Sequence, residues 1–383
     1  MVERIDREPI LSYPLPPITQ PLKKRPLVIR RLSLSLLLLL DGLLLVLFVV
    51  GYASRYVPSR FFWWAEVVAT GLPYLSMVLV VVTITVALMQ RWRLLAVHVV
   101  LLVLALLRFA SFGGGAEPQP DDLVLLTFNT SKGGGAQAEE QGHAITKLVR
   151  IEDPDIVALQ ESSVEFHPTG RRIRPIVPIR ALIDSLGYHI IGPDGEREAV
   201  YTKQPVLAEV ELVEQTQRLL HEDNMGTGVV RTHFRWKGRE AVHYNLHLHS
   251  FGYTKPWEDA GRNIYSFSFW KRYLLQYRDA YLDRAAEMRK VQAMLAEETL
   301  PVIVSGDFNS TPHNHAFYGI AQGLQDAFKV AGQGWGATYR ADRPFARIDH
   351  VLASNEWEVV SAHVTKADHS DHRALIVRLR WAE

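Results

Sequence analysis

The sequence contains no cysteine, so it can form neither a disulfide framework nor a thiolate metal site. Any metal that the protein binds must therefore be held by oxygen and nitrogen ligands. The sequence also lacks an excess of one charge, since 42 lysine and arginine residues against 41 aspartate and glutamate residues give +1. This overall balance distinguishes no class of partner.

Charge and hydrophobicity both change near residue 112. Residues 1–112 contain 12 basic and 5 acidic residues, a net +7, whereas the remaining chain contains 30 basic and 36 acidic residues, a net −6. A chain of 383 residues is also long for one domain. We therefore predict a boundary near residue 112, between an apolar, basic N-terminal region and a soluble domain.

Long apolar stretches occupy the N-terminal third. They lie at residues 32–51, within residues 61–89 and at residues 94–112, and each reaches the roughly 20 residues that a membrane-spanning helix needs. Three successive stretches, with no small-residue cleavage site after the first, argue against a secretory signal peptide. The sequence predicts three transmembrane helices over residues 32–112, after a basic segment at residues 1–31.

The basic residues beside the first stretch indicate the orientation in a cell membrane. They are Lys23, Lys24, Arg25, Arg30 and Arg31. Because basic flanks remain in the cytoplasm, we expect a cytoplasmic N-terminus and, after three spans, an extracytoplasmic C-terminal domain. Residues 113–121 are rich in glycine, proline and acid and are predicted to be a linker. Asp41, within the first span, is either a functional carboxylate or a neutral or helix-paired one.

The soluble domain, predicted over residues 122–383, alternates strand and helix patterns. Strands are predicted at residues 123–128, 156–159, 302–304, 347–353 and 374–381, a strand pair at 228–236 and 241–247, and helices at 139–151 and 273–297. This mixture is typical of an α/β domain built on a sheet.

Polar side chains collect at the ends of the predicted strands. They are Asn129, Glu161, His247, His249, Asp307, Asn309, Asp349, Asp371 and His372. The ends of strands are where α/β sheets place their ligand sites. Asp307 and Asn309 lie two residues apart and, on an extended segment, would point the same way. We therefore expect these side chains to contribute to one site.

These side chains share a chemistry. Carboxylate and amide oxygens without thiols suit a hard cation such as Mg²⁺ or Mn²⁺. Histidines beside acids suit proton transfer, because an acid can fix the tautomer of the imidazole. The combination is what water attack on a phosphate ester requires, with the metal neutralising the phosphate and a base activating the water.

Six segments in one order carry a family resemblance. The segments TFN, DPDIVALQE, NLHLHS, SGDFNSTP, RIDHVL and SDHRAL, from about residue 122 to the end of the chain, resemble the endonuclease/exonuclease/phosphatase superfamily. It includes pancreatic-type deoxyribonucleases, abasic-site endonucleases, neutral sphingomyelinases and inositol polyphosphate 5-phosphatases. The resemblance implies an α/β four-layer sandwich, in which two packed mixed β-sheets are flanked by helices.

The resemblance also implies roles for the acids and amides. Glu161 resembles the principal metal ligand, with Asn129 orienting metal and phosphate and Asp371 as an auxiliary acid near the metal. Asp307 resembles the residue that positions or activates the attacking water, and Asn309 resembles the amide that holds phosphate and nucleophile.

The histidines take their roles from the same resemblance. His372 resembles the catalytic histidine and Asp349 its acidic partner. His247 matches the histidine that contacts or protonates the phosphate, but the HLH repeat leaves His249 as an alternative.

Two further stretches are candidates for substrate selection. Arg171, Arg172 and Arg174 could hold extra phosphates or a headgroup, or belong to a solvated basic loop. Trp257 and Trp270 could form a lid or enter a bilayer surface, or pack on the domain.

Three functions fit these observations. The first is a membrane-tethered phosphodiesterase that acts on a lipid or another small extracytoplasmic phosphate ester. The second is a tethered nuclease with nucleic acid as its partner, and the third is a non-catalytic binding or sensor protein. A net charge of −6 on the chain after residue 112 favours the first over the second, because nucleic-acid grooves usually carry a basic excess. Every expected catalytic position is occupied, which disfavours the third.

Overall fold

The structure, a computed structural model, describes residues 27–109, 111–131, 138–166, 173–175, 177–191, 200–202, 204–221, 227–252, 263–366 and 368–383. Its helices are α1 (Leu27–Ser54), α2 (Ser59–Thr70), α3 (Leu72–Leu88), α4 (Trp92–Phe109), α5 (Ala138–Glu152), α6 (Val177–Leu186), α7 (Phe267–Ala296), α8 (His315–Ile320) and α9 (Ala327–Ala331). Its strands are β1 (Leu123–Asn129), β2 (Ile156–Gln160), β3 (Val164–Phe166), β4 (Ile173–Pro175), β5 (Val200–Thr202), β6 (Val206–Ala208), β7 (Glu211–Leu219), β8 (Gly228–Trp236), β9 (Arg239–His247), β10 (Val302–Asp307), β11 (Gln325–Asp326), β12 (Asp349–Ala353), β13 (Trp357–Thr365) and β14 (Ala374–Trp381).

Two mixed sheets form the centre of the soluble domain. One has the order β13-β14-β1-β2-β6, with β1 parallel to β2 and antiparallel to β14. The other has the order β11-β12-β10-β9-β8-β7, with β10 parallel to β9 and antiparallel to β12. A small sheet, β4-β3-β5, joins three short strands. The parallel pairs β1–β2 and β9–β10 lie inside their sheets.

The apolar side chains of these strands fill three layers. Leu125 in β1 and Ile303 in β10 belong to the core between the two sheets. The next residue of each strand faces outward: Leu126 packs with residues of α5 and α6, and Val304 packs with residues of α7 and α8. Strands buried on both faces read as continuous apolar runs. The predicted four-layer sandwich of two packed mixed sheets with flanking helices is therefore confirmed.

The N-terminal region is helical. Ser35–Ser54 within α1 and the helix α4 are long and apolar enough to cross a membrane, and α2 and α3 form a third candidate as a pair bent by 57°. The bend falls at Gly71, and Pro73 follows in the first turn of α3, where a missing N–H costs no hydrogen bond. The described residues thus hold two candidate spans, or three if the bent pair is one. The described residues up to Leu44, at the beginning of α1, belong to a unit separate from the rest of the chain.

The segment after α4 lies against the soluble domain. Ser111 is buried, and its Oγ lies 2.7 Å from the carbonyl oxygens of both Phe328 and Gly332, which share its one hydroxyl proton. Further along, Arg380 Nε donates to Asp122 Oδ1 at 2.9 Å. These contacts hold both ends of the predicted linker on the domain surface, so this segment is not a free tether.

Candidate active site

The two inner parallel strand pairs bring the predicted polar residues to one edge of the sandwich. Asn129 ends β1, and Glu161 follows the end of β2 with a φ of 57°. His247 and Asp307 end β9 and β10 as partners in the strand register. The left-handed backbone at Glu161 turns the chain away from its strand at the point where its carboxylate is needed.

Asp307 lies at the centre of this edge. Its side chain is buried, and its Oδ2 accepts a hydrogen bond from Asn129 Nδ2 at 2.9 Å. The backbone N–H of Asn309 donates to Asp307 Oδ1 at 2.8 Å, and Asn129 Nδ2 also lies 3.3 Å from Glu161 Oε1. Asn309 Nδ2 donates to the carbonyl of Leu248 at 2.9 Å. Asn129 and Asn309 thus fix the orientation of the Asp307 carboxylate.

His372 and Asp349 form a hydrogen-bonded pair beside Asp307. His372 Nδ1 donates to Asp349 Oδ2 at 2.9 Å, and both side chains are buried. The other ring nitrogen, His372 Nε2, lies 3.8 Å from Asp307 Oδ2. Thr338 Oγ1 accepts a hydrogen bond from the backbone N–H of Asp349 at 3.2 Å, which fixes the start of β12. The pair therefore presents Nε2 to the same point as the Asp307 carboxylate.

Burial and charge set the protonation of this pair. Burial alone would lower the pKa of His372, but the carboxylates of Asp349 and Asp307 outweigh it and raise the pKa to about 10. His372 is therefore a cation at neutral pH. The pKa of the Asp307 carboxyl is raised, first by burial and then by the charge of Asp349. A raised pKa makes Asp307 a better proton acceptor than an ordinary carboxylate.

His247 completes the group. Its Nε2 lies 3.7 Å from Asp307 Oδ2 and 3.9 Å from Glu161 Oε1. Both of its ring nitrogens are buried, and neither has a hydrogen-bond partner among the described residues. Buried polar atoms without partners are rare. Together with the oxygens of Glu161 and Asp307, they mark a place for a ligand.

A divalent cation fits this group by its donor chemistry. Carboxylate oxygens are available from Glu161, which is partly exposed, and from Asp307. Atoms of Asp307, Asp349 and His372 also lie within 4.8 Å of one another. Because Asp349 Oδ2 already accepts the His372 proton, we assign Asp349 to the histidine and keep Glu161 as the principal candidate for the cation.

His249, the alternative histidine, lies elsewhere. Strand β9 ends at His247, so the alternation of side chains does not continue to His249. Its backbone N–H donates to Glu287 Oε2 at 2.8 Å, and its carbonyl accepts from Arg284 Nη1 at 3.1 Å. The nearest carboxylate to its ring is that of Asp283, at 3.9 Å. The structure therefore brings His247, and not His249, to Asp307.

Asp371 is beside the site but is not part of the hydrogen-bonded group. The residue is exposed, and its backbone carbonyl accepts a hydrogen bond from the N–H of Ala341 at 2.7 Å. Its charge adds to the raised pKa of His372. The neighbouring Ser370 Oγ donates to the carbonyl of Asn129 at 2.8 Å and accepts from the N–H of His372 at 3.0 Å.

The predicted substrate-selecting residues are only partly covered by the structure. Arg171, Arg172 and Trp257 lie outside the described residues. Arg174 lies in β4, opposite Glu165. Trp270 is in the first turn of α7, where its Nε1 donates to the carbonyl of Ile264 at 2.8 Å. The described contacts of its side chain do not include the group around Asp307.

The sequence patterns did not indicate several residues that contact the predicted site residues. Ser370 stands directly before the Asp-His pair, so its place in the SDH motif was a usable signal. Thr338 had no local signal, because it reaches the start of β12 from the loop before that strand. The buried Gln160 and Asn245, joined by a 2.7 Å hydrogen bond, link the two sheets beneath the site.

Comparison with solved structures finds similar proteins of the same size as the soluble domain. One is a humanized TDP2 from D. rerio, with a TM-score of 0.49, 14% identity, and coverage of 68% of this chain and 99% of that chain. Another is an endonuclease/exonuclease/phosphatase family protein from Bacteroides thetaiotaomicron, with a TM-score of 0.48, 19% identity, and coverage of 70% and 100%. A third is a mannosyl-6-phosphatase from the same species, with a TM-score of 0.46, 17% identity, and coverage of 68% and 100%. No curated protein matches the chain.

The match of the sequence to a protein family is more specific than the similarity to solved structures. Residues 126–372, well over half of the chain, match the Endonuclease/Exonuclease/phosphatase family. This match begins within β1 and ends at His372, so it contains all of the residues that meet at the site. The chain belongs to the Endonuclease/Exonuclease/phosphatase family.

Proposed function

We propose that this protein is a membrane-anchored, divalent-metal-dependent phosphoester hydrolase. The observation that carries the proposal is the meeting of Glu161, Asp307, His247 and the His372–Asp349 pair at one edge of the sandwich. A scaffold that only binds its ligand would not need a base, a cationic histidine and a cation site within 4 Å of one another.

Each residue has a distinct part in the proposed reaction. Glu161 would hold the cation, and Asn129 orients Glu161 and Asp307 through its amide. Mg²⁺ or Mn²⁺ there would supply a Lewis acid that neutralises the charge of the phosphate. Asp307 accepts a proton from a water molecule and positions that water for attack on phosphorus. Two asparagines fix the orientation of the Asp307 carboxylate for this role.

The histidines act on the phosphate. His372 is cationic, and Asp349 holds its ring so that Nε2–H faces the space beside Asp307. From there it stabilises the negative charge that develops on the phosphoryl oxygens. His247, whose Nε2 lies 3.7 Å from Asp307 Oδ2, contacts or protonates the ester.

The apolar helices support a membrane location. We propose three spans, formed by α1, α3 and α4, with the N-terminus in the cytoplasm and the catalytic domain outside it. The described length of α3 is 17 residues, which is at the short end of the range for a spanning helix. This arrangement places the enzyme where a phospholipid or another small extracytoplasmic phosphate ester is its substrate, in preference to nucleic acid.

A substrate panel tests the proposal. Full-length protein in lipid nanodiscs, with Mg²⁺ or with EDTA, is assayed against a chromogenic phosphodiester, a phosphomonoester, mixed phospholipid vesicles, plasmid DNA and RNA. We expect EDTA-sensitive release of phosphorylated headgroups from the vesicles and an intact plasmid. Nicked plasmid with unchanged vesicles would make the protein a tethered nuclease. If the folded protein hydrolyses no substrate and binds no Mn²⁺, hydrolysis is ruled out and a binding or sensor function remains.

A further inference from the structure

Helix α2 contacts the catalytic domain through a buried carboxylate. Glu66 is only 1% exposed. Its carboxylate accepts hydrogen bonds from Ser59 Oγ at 2.7 Å, from Asn314 Nδ2 at 2.8 Å and from the backbone N–H of His315 at 3.2 Å. Two of these three donors belong to the catalytic domain. Removing a carboxylate from such a place leaves buried donors without partners, which is costly.

Asn314 carries this contact to the turn that follows the catalytic residues Asp307 and Asn309. Its Oδ1 accepts hydrogen bonds from the backbone N–H of Thr311 at 2.9 Å and from Thr311 Oγ1 at 2.6 Å. Thr70, at the end of α2, lies 3.3 Å from the same oxygen. The side chain of Asn314 therefore closes the turn through its Oδ1. The same side chain is held by α2 through the hydrogen bond from its Nδ2 to Glu66.

A second contact reaches the loop behind His372. Tyr74, in the first turn of α3, donates its hydroxyl proton to the carbonyl of Phe345 at 2.9 Å. The ring of Phe345 packs on that of Tyr339, with centroids 5.4 Å apart. Tyr339 in turn packs on the ring of His372, with centroids 5.1 Å apart. Tyr74 thus holds a loop that forms one wall around the catalytic histidine.

We propose that residues 66–74, which we call the elbow, are a positioning element of the active site, with Glu66 as its main residue. The inference rests on the proposed function, because it assigns the elbow to the same catalytic site. Glu66 and Tyr74 do not touch the reacting groups; they act through the turn after Asn309 and the loop that packs on His372. Misplacing reacting groups by about 1 Å can cost about 10²-fold in rate.

The chemistry of the contact separates positioning from simple packing. An apolar helix that only rested on the domain would need no buried carboxylate, since replacing buried polar pairs by apolar residues is often neutral or stabilising. Glu66 instead fixes the orientation of α2 on the catalytic domain, because its hydrogen bonds to Asn314 and His315 are directional. Beyond the elbow, α3 exposes apolar side chains, including Val78 and Val81. In the proposed topology, the elbow therefore lies between the turn after Asn309 and the point where α3 enters the bilayer.

The test compares Glu66 variants of the full-length protein in nanodiscs. The substrate is the soluble bis(p-nitrophenyl) phosphate with Mg²⁺, so that access to the bilayer does not affect the rate. Glu66→Ala is expected to lower kcat by about tenfold or more while KM changes by less than about twofold. Glu66→Gln is expected to recover most of kcat, because its amide oxygen accepts from Asn314 or His315 and its amide nitrogen donates to Ser59.

A matched control lies in the same helical region. Thr83 in α3 is hydrogen-bonded to Leu79 and His98, both in the helical region. Its described hydrogen bonds therefore do not involve the catalytic domain. Thr83→Val is expected to keep the wild-type kcat. A Glu66→Ala protein that is folded and keeps the wild-type kcat would overturn the inference.

Hydrogen exchange provides a readout that does not depend on turnover. In Glu66→Ala, the amides of Thr311 and His315 are expected to exchange faster than in the wild type, whereas the amides of β9 are unchanged. Unchanged exchange at both amides would refute the elbow contact. A wild type that hydrolyses no phosphoester, with faster exchange in Glu66→Ala, would refute the proposed function and support the contact.

Discussion

His372 shows how its neighbours define a residue's role. Alone, a histidine this deeply buried would be neutral, as His350 is, whose pKa is lowered to about 3 by burial in the first place and then by Arg347. The carboxylates of Asp349 and Asp307 reverse this effect at His372. One buried histidine therefore serves the packing of the domain and the other is a cation in the candidate active site.

Removing the His372 ring tests this role. His372→Ala is expected to lower kcat by about 10²–10⁴-fold, because the positioned cation beside Asp307 is lost. Far-ultraviolet circular dichroism and thermal unfolding check that the fold is kept. His363→Ala is the control, because His363 lies on β13 and pairs with Glu152, away from the site. A His372→Ala enzyme with full activity would contradict the assigned mechanism.

Glu161 is tested by its need for metal. In Glu161→Ala, the Mg²⁺ concentration for half-maximal activity is expected to rise by about tenfold or more, since a direct carboxylate ligand is lost. The measurement is a Mg²⁺ titration of the initial rate. Glu139→Ala, at an exposed position of α5, is the control and is expected to match the wild type. Equal Mg²⁺ curves for all three proteins would remove Glu161 from the metal site.

At the level of single residues, the sequence indicated which side chains converge better than it indicated how they are held. Strand ends and the i, i+2 spacing of Asp307 and Asn309 are local patterns, and the structure places both residues at one edge. The expected extended segment is not there, however, because β10 ends at Asp307 and Asn309 has a φ of 46°. The choice between His247 and His249 could not be made locally, because it depends on β9 ending at His247. The roles of these residues stay predictions until they are tested.

Among the elements, the buried strands were the most predictable. The predicted strand at residues 374–381 coincides with β14, and that at 123–128 falls one residue short of β1. β7 was not predicted, because it is an edge strand whose side chains are mostly polar and at least partly exposed. α7 begins at Phe267, six residues before the predicted start, because its first turns mix the exposed aromatic side chains of Phe267 and Trp270 with the buried ones of Phe269 and Tyr273. Edge and surface segments carry little pattern in the sequence.

One contact between elements predicts a pH dependence of stability. Glu298, just after α7, accepts hydrogen bonds from Arg231 in β8 and Tyr244 in β9, both at 2.8 Å. Burial alone would raise the pKa of Glu298, but these two donors outweigh it and lower the pKa from 4.5 to about 2. A lowered carboxyl pKa stabilises the folded state above about pH 4.5, and this contribution is lost as the pH falls toward 2.

Glu298→Gln should therefore flatten this part of the stability profile. Thermal unfolding in detergent between pH 3 and pH 6 is expected to fall less steeply with acid in Glu298→Gln than in the wild type. Glu297→Gln, at an exposed neighbouring position, is expected to follow the wild type. Parallel curves for the wild type and Glu298→Gln would show that this contact does not link α7 to the sheet as described.

For the whole molecule, the sequence predicted a membrane region and a catalytic domain but not the contacts between residues 55–74 and that domain. Glu66 and Asn314 lie 248 positions apart in the chain, and no local pattern connects them. The basic residues before the first span carry the topology prediction. Whether the helices span a membrane in that orientation stays a proposal.

The absence of cysteine makes the topology directly testable. Asn355→Cys, in the exposed turn between β12 and β13, is expected to react with a membrane-impermeant maleimide in intact cells. Lys24→Cys is expected to react only after permeabilisation, because basic flanks remain cytoplasmic. The opposite labelling pattern would place the catalytic domain in the cytoplasm and exclude an extracytoplasmic substrate.

The most direct test of the central claim is the rate of phosphodiester hydrolysis by full-length wild type and Asp307→Asn, each with Mg²⁺ and with EDTA. Asparagine keeps the size of the side chain and removes its ability to accept a proton from water. We predict turnover by the wild type that EDTA abolishes and added Mg²⁺ restores, and a loss of about 10²–10⁴-fold in Asp307→Asn. Hydrolysis that persists in EDTA, or full activity in Asp307→Asn, would contradict metal-dependent hydrolysis at this site.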